Sequence, residues 1–153
     1  MYCTKKMTSD LIWLGGSDRR LALFENVYPI PRGVSYNAYL IQDEKTALLD
    51  TVDQAIAERF FENMEHALQG KPLNYVIVNH MEPDHAATLG TVLSRYPEAT
   101  VIGNAKTLPM IKQFFPMEVE GRFQAVKEGD TLSLGRHELT LSLIHISEPT
   151  TPY

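Results

Sequence analysis

Hydrophobic residues in the first third of the chain come in short runs separated by polar turns. The runs LIWLGG, LALFENVY, SYNAYLI and TALLDTV precede residue 53, and polar residues 42–45 separate the last two. Short apolar runs bounded by turn residues are typical of β-strands. The pattern therefore predicts a β-meander at the start of the fold.

Three helices are predicted after this meander, because apolar residues then recur at spacings of three and four. The first begins after Asp53, its predicted N-cap, and ends before Gly70. The second covers residues 85–96, and the third runs from Asn104 to Pro116, with strands before each of them and three more strands afterwards. Strand and helix alternate without the G-x-G-x-x-G turn of a Rossmann fold, which favours a layered α/β sandwich.

Composition and charge narrow the possible partners. The chain has 153 residues, 44% hydrophobic and 22% charged, which suits one domain. A net charge of −5 opposes binding to nucleic acid or to an anionic membrane, and neither partner is expected. Cys3 is the single cysteine, and neither a signal peptide nor an apolar run of 18 residues is found, so a cytoplasmic location is expected.

Candidate chemistry is concentrated directly after the predicted strand 74–79. Four possible metal ligands follow it within six residues, namely His80, Glu82, Asp84 and His85. Residues 80, 82 and 84 alternate, so an extended backbone directs them to one side, and imidazole with carboxylate suits iron as well as zinc or manganese. A structural interpretation stays open, in which Asp84 caps the next helix and the others are solvated loop residues.

Asp50 ends the strand TALLD near the same sheet edge. Its carboxylate is suited to accept a hydrogen bond from the free N–H of a ligating histidine. Alternatively, Asp50 begins the turn that leads to the helix at Asp53, and both interpretations stay open. Two further histidines, His66 on the first helix and His137 in the last hairpin, are interpreted as ordinary surface residues.

Residues 80–85 closely resemble the metallo-β-lactamase-fold motif H-x-[HE]-x-D-H, in the Glu-containing variant of the flavodiiron proteins, or A-type flavoproteins. Further stretches resemble this family in the same order: 12–15 with 18–20 and 23–25, 33–41, 46–52 and 129–135. The resemblance covers roughly residues 10–142. It implies an α/β fold of the metallo-β-lactamase-like αββα sandwich type, of which the chain holds the N-terminal half to two-thirds.

The resemblance also implies a function. Flavodiiron proteins reduce dioxygen to water or nitric oxide to nitrous oxide at a di-iron site, with electrons from FMN in a flavodoxin-like domain that is expected to be missing from this chain. Residue by residue, His80 and Glu82 match ligands of one iron and Asp84 a ligand of the other. His85 is auxiliary, as is Asp50, and no catalytic residue separate from the ligands is expected. A redox donor such as rubredoxin and a homo-oligomeric full-length protein are expected as well.

The resemblance ends after the last hairpin, where the family has further histidine ligands and a bridging aspartate. The first of these histidines aligns with Glu148, and His145 lies three places early. Residues 1–147 are therefore expected to form an incomplete domain, and 148–153 an unstructured, non-native tail. Such a chain is expected to bind at most one iron weakly and to be inactive. A zinc-dependent hydrolase of the same fold and a metal-free structural or binding module are the alternatives.

Overall fold

One large sheet organises the structure, a computed structural model that describes residues 2–24 and 26–142. The strands in these residues are β1 Lys5–Lys6, β2 Leu11–Trp13, β3 Gly16–Asp18, β4 Leu23–Phe24, β5 Tyr28–Pro29, β6 Val34–Tyr36, β7 Tyr39–Gln42, β8 Thr46–Leu49, β9 Tyr75–Ile77, β10 Thr100–Gly103, β11 Phe123–Ala125, β12 Thr131–Ser133 and β13 Glu138–Thr140. The helices are α1 Ala57–Leu68, α2 Pro83–Ala86, α3 Leu89–Arg95 and α4 Thr107–Phe114, with 3₁₀ turns at Gln54–Ile56 and Glu120–Arg122.

The large sheet has seven strands in the order β1-β2-β7-β8-β9-β10-β11. The pairs from β1 to β8 are antiparallel. The predicted meander is wrong in its order, because β2 pairs with β7 while β3 with β6 and β4 with β5 form separate two-stranded sheets. The pairs from β8 to β11 are parallel, because a helical crossover carries the chain back before each new strand. The strands β8 and β9 are therefore interior neighbours, and their carboxyl ends lie side by side.

The two faces of this sheet are covered by different layers. Helical residues such as Phe60, Met64 and Leu93 form the larger core cluster with residues from the first face. On the second face, Leu132 and Leu134 from the β12–β13 hairpin join a separate apolar cluster with strand residues of the sheet. Helix layer, sheet and hairpin together confirm the predicted layered α/β sandwich. Among the described residues, no helix is long and apolar enough to span a bilayer.

The local sequence pattern predicts the first helix correctly, whereas the bounds of the second helix differ from the prediction. The carboxylate of Asp53 accepts a hydrogen bond from the Ala55 N–H at 2.7 Å, so the predicted cap starts the 3₁₀ turn that leads into α1. The predicted helix 85–96 is divided into α2 and α3, and it begins earlier, with Pro83 as the first residue of α2. The predicted tail 148–153 and His145 lie outside the described residues.

Candidate metal centre

The end of β8 places the carboxylate of Asp50 at the sheet edge. Asp50 has a φ of 54°, in the left-handed region that few residues other than glycine adopt. Its N–H donates to the Ile77 carbonyl at 2.9 Å. Its side chain accepts hydrogen bonds from the backbone N–H of Asn79 at 2.7 Å and from the Asn79 amide group at 3.2 Å. These contacts bind Asp50 to the chain directly before His80.

Residues 80–85, called the ligand loop below, combine extended chain and helix. Glu82 has extended backbone and occupies the N-cap of α2, and its carbonyl accepts hydrogen bonds from the N–H groups of His85 and Ala86 at 2.9 Å each. Asp84 lies in the first turn of α2, so the expectation of strict alternation over residues 80, 82 and 84 is wrong for Asp84. Glu82 and not Asp84 is the N-cap of α2, and no side chain among the described residues caps this helix, so the alternative role of Asp84 as a cap is also wrong.

The candidate ligands form one row of contacts. The Nδ1 atom of His80 lies 3.4 Å from a carboxylate oxygen of Glu82, and the imidazole rings of His80 and His85 are 5.2 Å apart between centroids. The Nε2 atom of His85 lies 3.5 Å from an oxygen of Asp84, and its Nδ1 atom lies 3.3 Å from an oxygen of Asp50. Asp50 therefore lies beside His85.

This row is not a closed coordination shell. Within residues 2–24 and 26–142, no group of three or more His, Cys, Asp or Glu side chains is arranged to hold a metal ion. The side chains of His80 and Glu82 are 37% and 58% exposed, which leaves both accessible to an ion from solvent. The ligand assignment therefore stays a prediction.

His85, at the centre of the row, has a buried ring nitrogen without a hydrogen-bond partner among residues 2–24 and 26–142. This nitrogen is Nδ1, and an oxygen of Asp50 lies 3.3 Å away as an ion-pair contact. The neighbouring Asp50 carboxylate raises the pKa of His85, while partial burial acts in the opposite direction. An imidazole oriented by a carboxylate, next to a second imidazole and two further carboxylates, is a donor set that suits a first-row metal ion.

Two threonines, Thr51 and Thr88, hold α2 and α3 against the end of β8, and neither is among the predicted site residues. The backbone N–H and hydroxyl of Thr51 both donate to the His85 carbonyl at 2.8 Å. The Thr88 hydroxyl donates to the Val52 carbonyl at 2.9 Å and accepts from the Val52 N–H at 3.2 Å. We call these four residues the strand–helix link. The sequence signal for this link is Thr88, a polar residue within the otherwise apolar stretch 86–89.

Comparison with known proteins identifies the superfamily. The sequence model of the metallo-beta-lactamase superfamily matches residues 31–151. The chain belongs to this superfamily. The anaerobic nitric oxide reductase flavorubredoxin of Salmonella arizonae is 33% identical over 142 residues, which are 92% of this chain and 29% of that protein.

Solved structures of metallo-beta-lactamase relatives agree with the same resemblance. The flavodiiron protein of Giardia intestinalis superposes with a TM-score of 0.82 at 27% identity, covering 94% of this chain and 35% of that one. Rubredoxin oxygen:oxidoreductase of Desulfovibrio gigas superposes with a TM-score of 0.83 at 28% identity, covering 90% and 34%. The resemblance to flavodiiron proteins is confirmed, and the chain spans about a third of the length of these relatives.

Proposed function

We propose that the ligand loop supplies part of a non-haem iron centre, in a flavodiiron-type reductase of dioxygen or nitric oxide. The observation that carries this proposal is the contact row from Glu82 through His80 to His85, at the carboxyl end of an interior strand. Its support is the likeness to proteins named as a nitric oxide reductase and a rubredoxin oxygen:oxidoreductase. FMN from a flavodoxin-like domain and a rubredoxin-type donor belong to the same proposal.

In this proposal, His80 and Glu82 bind one iron, and Asp84 binds a second. Asp84 lies on the opposite side of the His85 ring from Asp50, since it approaches Nε2 whereas Asp50 approaches Nδ1. Asp50 thereby orients the ring of His85, which is not itself a ligand. Three donors leave most positions of two iron ions unfilled, so the remaining ligands come from outside the described residues.

The protein groups around the ligand loop orient the donor side chains, and apolar residues cover one side of the loop. Bound iron supplies a redox couple that zinc lacks, which suits electron transfer to dioxygen or nitric oxide. The strand–helix link holds the carbonyl of His85 in place and thereby limits movement of Asp84 and His85 on α2. Between the two donors of the first iron, Met81 is buried and lines an apolar groove of about 260 Å³ together with Pro83, Ala86, Ala87, Phe114 and Phe115.

Anaerobic equilibrium dialysis of the 153-residue chain against Fe(II) tests the proposal. We expect saturable binding that approaches one Fe(II) per chain and is lost in His80→Ala, which removes the imidazole ligand, and in Glu82→Gln, which replaces the anionic ligand with a weaker neutral amide oxygen. His66→Ala is the matched control, since His66 lies on α1 and stacks on Tyr2, and it should bind iron as the wild type does.

Two results would contradict this function. Zinc binding alone does not discriminate, because zinc is held more tightly than Fe(II) by most nitrogen and oxygen sites. Hydrolysis of a lactam or ester by the zinc-loaded chain, with loss of hydrolysis in His80→Ala, would favour the zinc hydrolase. Absence of any metal binding by a folded wild-type chain would favour the metal-free module.

A further inference from the structure

The β12–β13 hairpin connects two distant parts of the sheet. On the second face of the sheet, Leu132 and Leu134 are buried in one apolar cluster with strand residues that include Ile77. At the far end, Leu141 and Ser142 line a small cavity of about 110 Å³ that Asn79 also lines, next to the ligand loop. Docking of this hairpin therefore sets where the chain leaves β13 relative to the candidate metal centre.

At its near end, the hairpin is attached to the β7–β8 turn by a buried carboxylate. The Asp43 side chain is 1% exposed and accepts hydrogen bonds from the backbone N–H of His137 at 2.7 Å, from Arg136 Nε at 3.1 Å and from the Glu44 N–H at 2.9 Å. Burial by itself raises the pKa of Asp43, but these hydrogen bonds and one from the His137 ring outweigh it and hold the pKa well below its usual value.

The imidazole of His137 lies between two carboxylates. Its Nδ1 atom is 2.7 Å from an oxygen of Asp43, and its Nε2 atom is 3.0 Å from an oxygen of Asp10. A neutral imidazole carries one N–H and would turn a lone pair towards one of these carboxylates, whereas an imidazolium turns an N–H towards each, with a hydrogen bond to Asp43 and an ion pair with Asp10. The interpretation of His137 as an ordinary surface residue is therefore wrong.

Two further charged residues of the described chain, Arg136 and Glu44, lie beside this group. Arg136 pairs with Asp43 at 3.1 Å and approaches Asp10 at 3.9 Å. Glu44 follows Asp43 in the same turn, and its side chain lies against Gly135 in the hairpin turn. Two cations thus face three carboxylates, and removal of the imidazolium charge leaves Asp43 and Asp10 with Arg136 as their cation in this group.

We propose that the imidazolium of His137, held between Asp43 and Asp10, is a pH-sensitive clamp that docks the β12–β13 hairpin on the sheet. Loss of one ring proton removes either the hydrogen bond to Asp43 or the ion pair with Asp10, and leaves a lone pair facing a carboxylate. The clamp therefore weakens when a rise in pH removes one ring proton, since only the imidazolium presents an N–H to both carboxylates. Acid weakens it at the other end, where Asp43 becomes protonated. The clamp does not depend on bound metal.

Nuclear magnetic resonance of the full chain tests the clamp. The ¹⁵N shifts of the His137 ring should show hydrogen on both nitrogens at about pH 6. The Lys45 N–H donates to the Leu134 carbonyl at 2.9 Å across the docking contact, so its hydrogen exchange reports docking. Corrected for intrinsic exchange, its protection should fall about tenfold between about pH 6 and pH 9. This dependence should vanish in His137→Asn and persist in the control His66→Asn.

Three results would overturn the proposal. The first is a neutral ring tautomer of His137 at about pH 6. The second is Lys45 protection that does not change with pH in the wild type. The third comes from Asp10→Asn, which removes the negative charge beside Nε2 but keeps Asp43, and which serves if His137→Asn fails to fold. A pH dependence as large in Asp10→Asn as in the wild type would show that the second carboxylate plays no part.

Discussion

Thr88→Val isolates the cost of an unsatisfied backbone donor at the strand–helix link. Thr88 is fully buried, and its hydroxyl accepts the Val52 N–H at 3.2 Å and donates to the Val52 carbonyl at 2.9 Å. Valine keeps the shape of threonine but not the hydroxyl. The carbonyl of Val52 retains the Thr88 N–H at 3.2 Å, whereas its N–H finds no other acceptor among residues 2–24 and 26–142.

The magnitude follows from that difference. A buried donor without a partner costs about 1–3 kcal/mol, and a lost hydrogen bond alone costs about 0.5–1.5 kcal/mol. Thr51→Val is the matched control, because it removes a hydroxyl from an equally buried threonine, yet the His85 carbonyl keeps the Thr51 N–H at 2.8 Å. We expect Thr88→Val to lower the free energy of unfolding by about 1 kcal/mol more than Thr51→Val does.

Urea unfolding of the wild type and both variants, followed by circular dichroism, measures these costs. The added methyl group gains the same apolar burial in each variant, so it cancels in the comparison. Hydrogen exchange of the Val52 amide gives a local reading, and only Thr88→Val should accelerate it strongly. A Thr88→Val protein that is as stable as Thr51→Val, or more stable, would refute the reasoning.

Two further predictions concern buried polar groups. Asn63→Leu should lower the free energy of unfolding by about 1–3 kcal/mol in urea, because Asn63 is fully buried, donates to the Leu14 carbonyl at 2.8 Å and accepts from the Cys3 N–H at 2.6 Å. The Asp43 carboxylate, whose pKa is lowered by folding, stabilises the protein above about pH 4 and loses this effect below it, so thermal melts of Asp43→Asn should decline less on acidification than those of the wild type.

Elements that depend on neighbouring residues were predictable from the sequence. Asp53 initiates a helical turn as expected, because a cap needs only the next few N–H groups. The ligand loop was found because its candidate ligands lie within six residues. The division of the helix 85–96 was not predictable, because it accompanies a hydroxyl contact between Thr88 and Val52, which are 36 positions apart.

The same limit applies outside the candidate centre. The sequence pattern predicts His137 to be a surface residue, because its partner Asp43 is 94 positions away and no local pattern indicates that contact. The sequence predicted a histidine partner for Asp50 but did not identify which histidine. The structure places Asp50 beside His85. Long-range polar contacts of this kind follow from strand order and register, which short apolar runs do not determine.

The proposed function requires that His80 and Glu82 bind iron together. A crystal structure of the Fe(II)-loaded chain, with anomalous scattering measured on both sides of the iron absorption edge, tests it most directly. We expect an iron peak about 2 Å from a nitrogen of His80 and from an oxygen of Glu82, with Asp84 within reach of the same or an adjacent ion. An iron peak remote from the ligand loop, or a fully loaded crystal with none at His80 and Glu82, would contradict it.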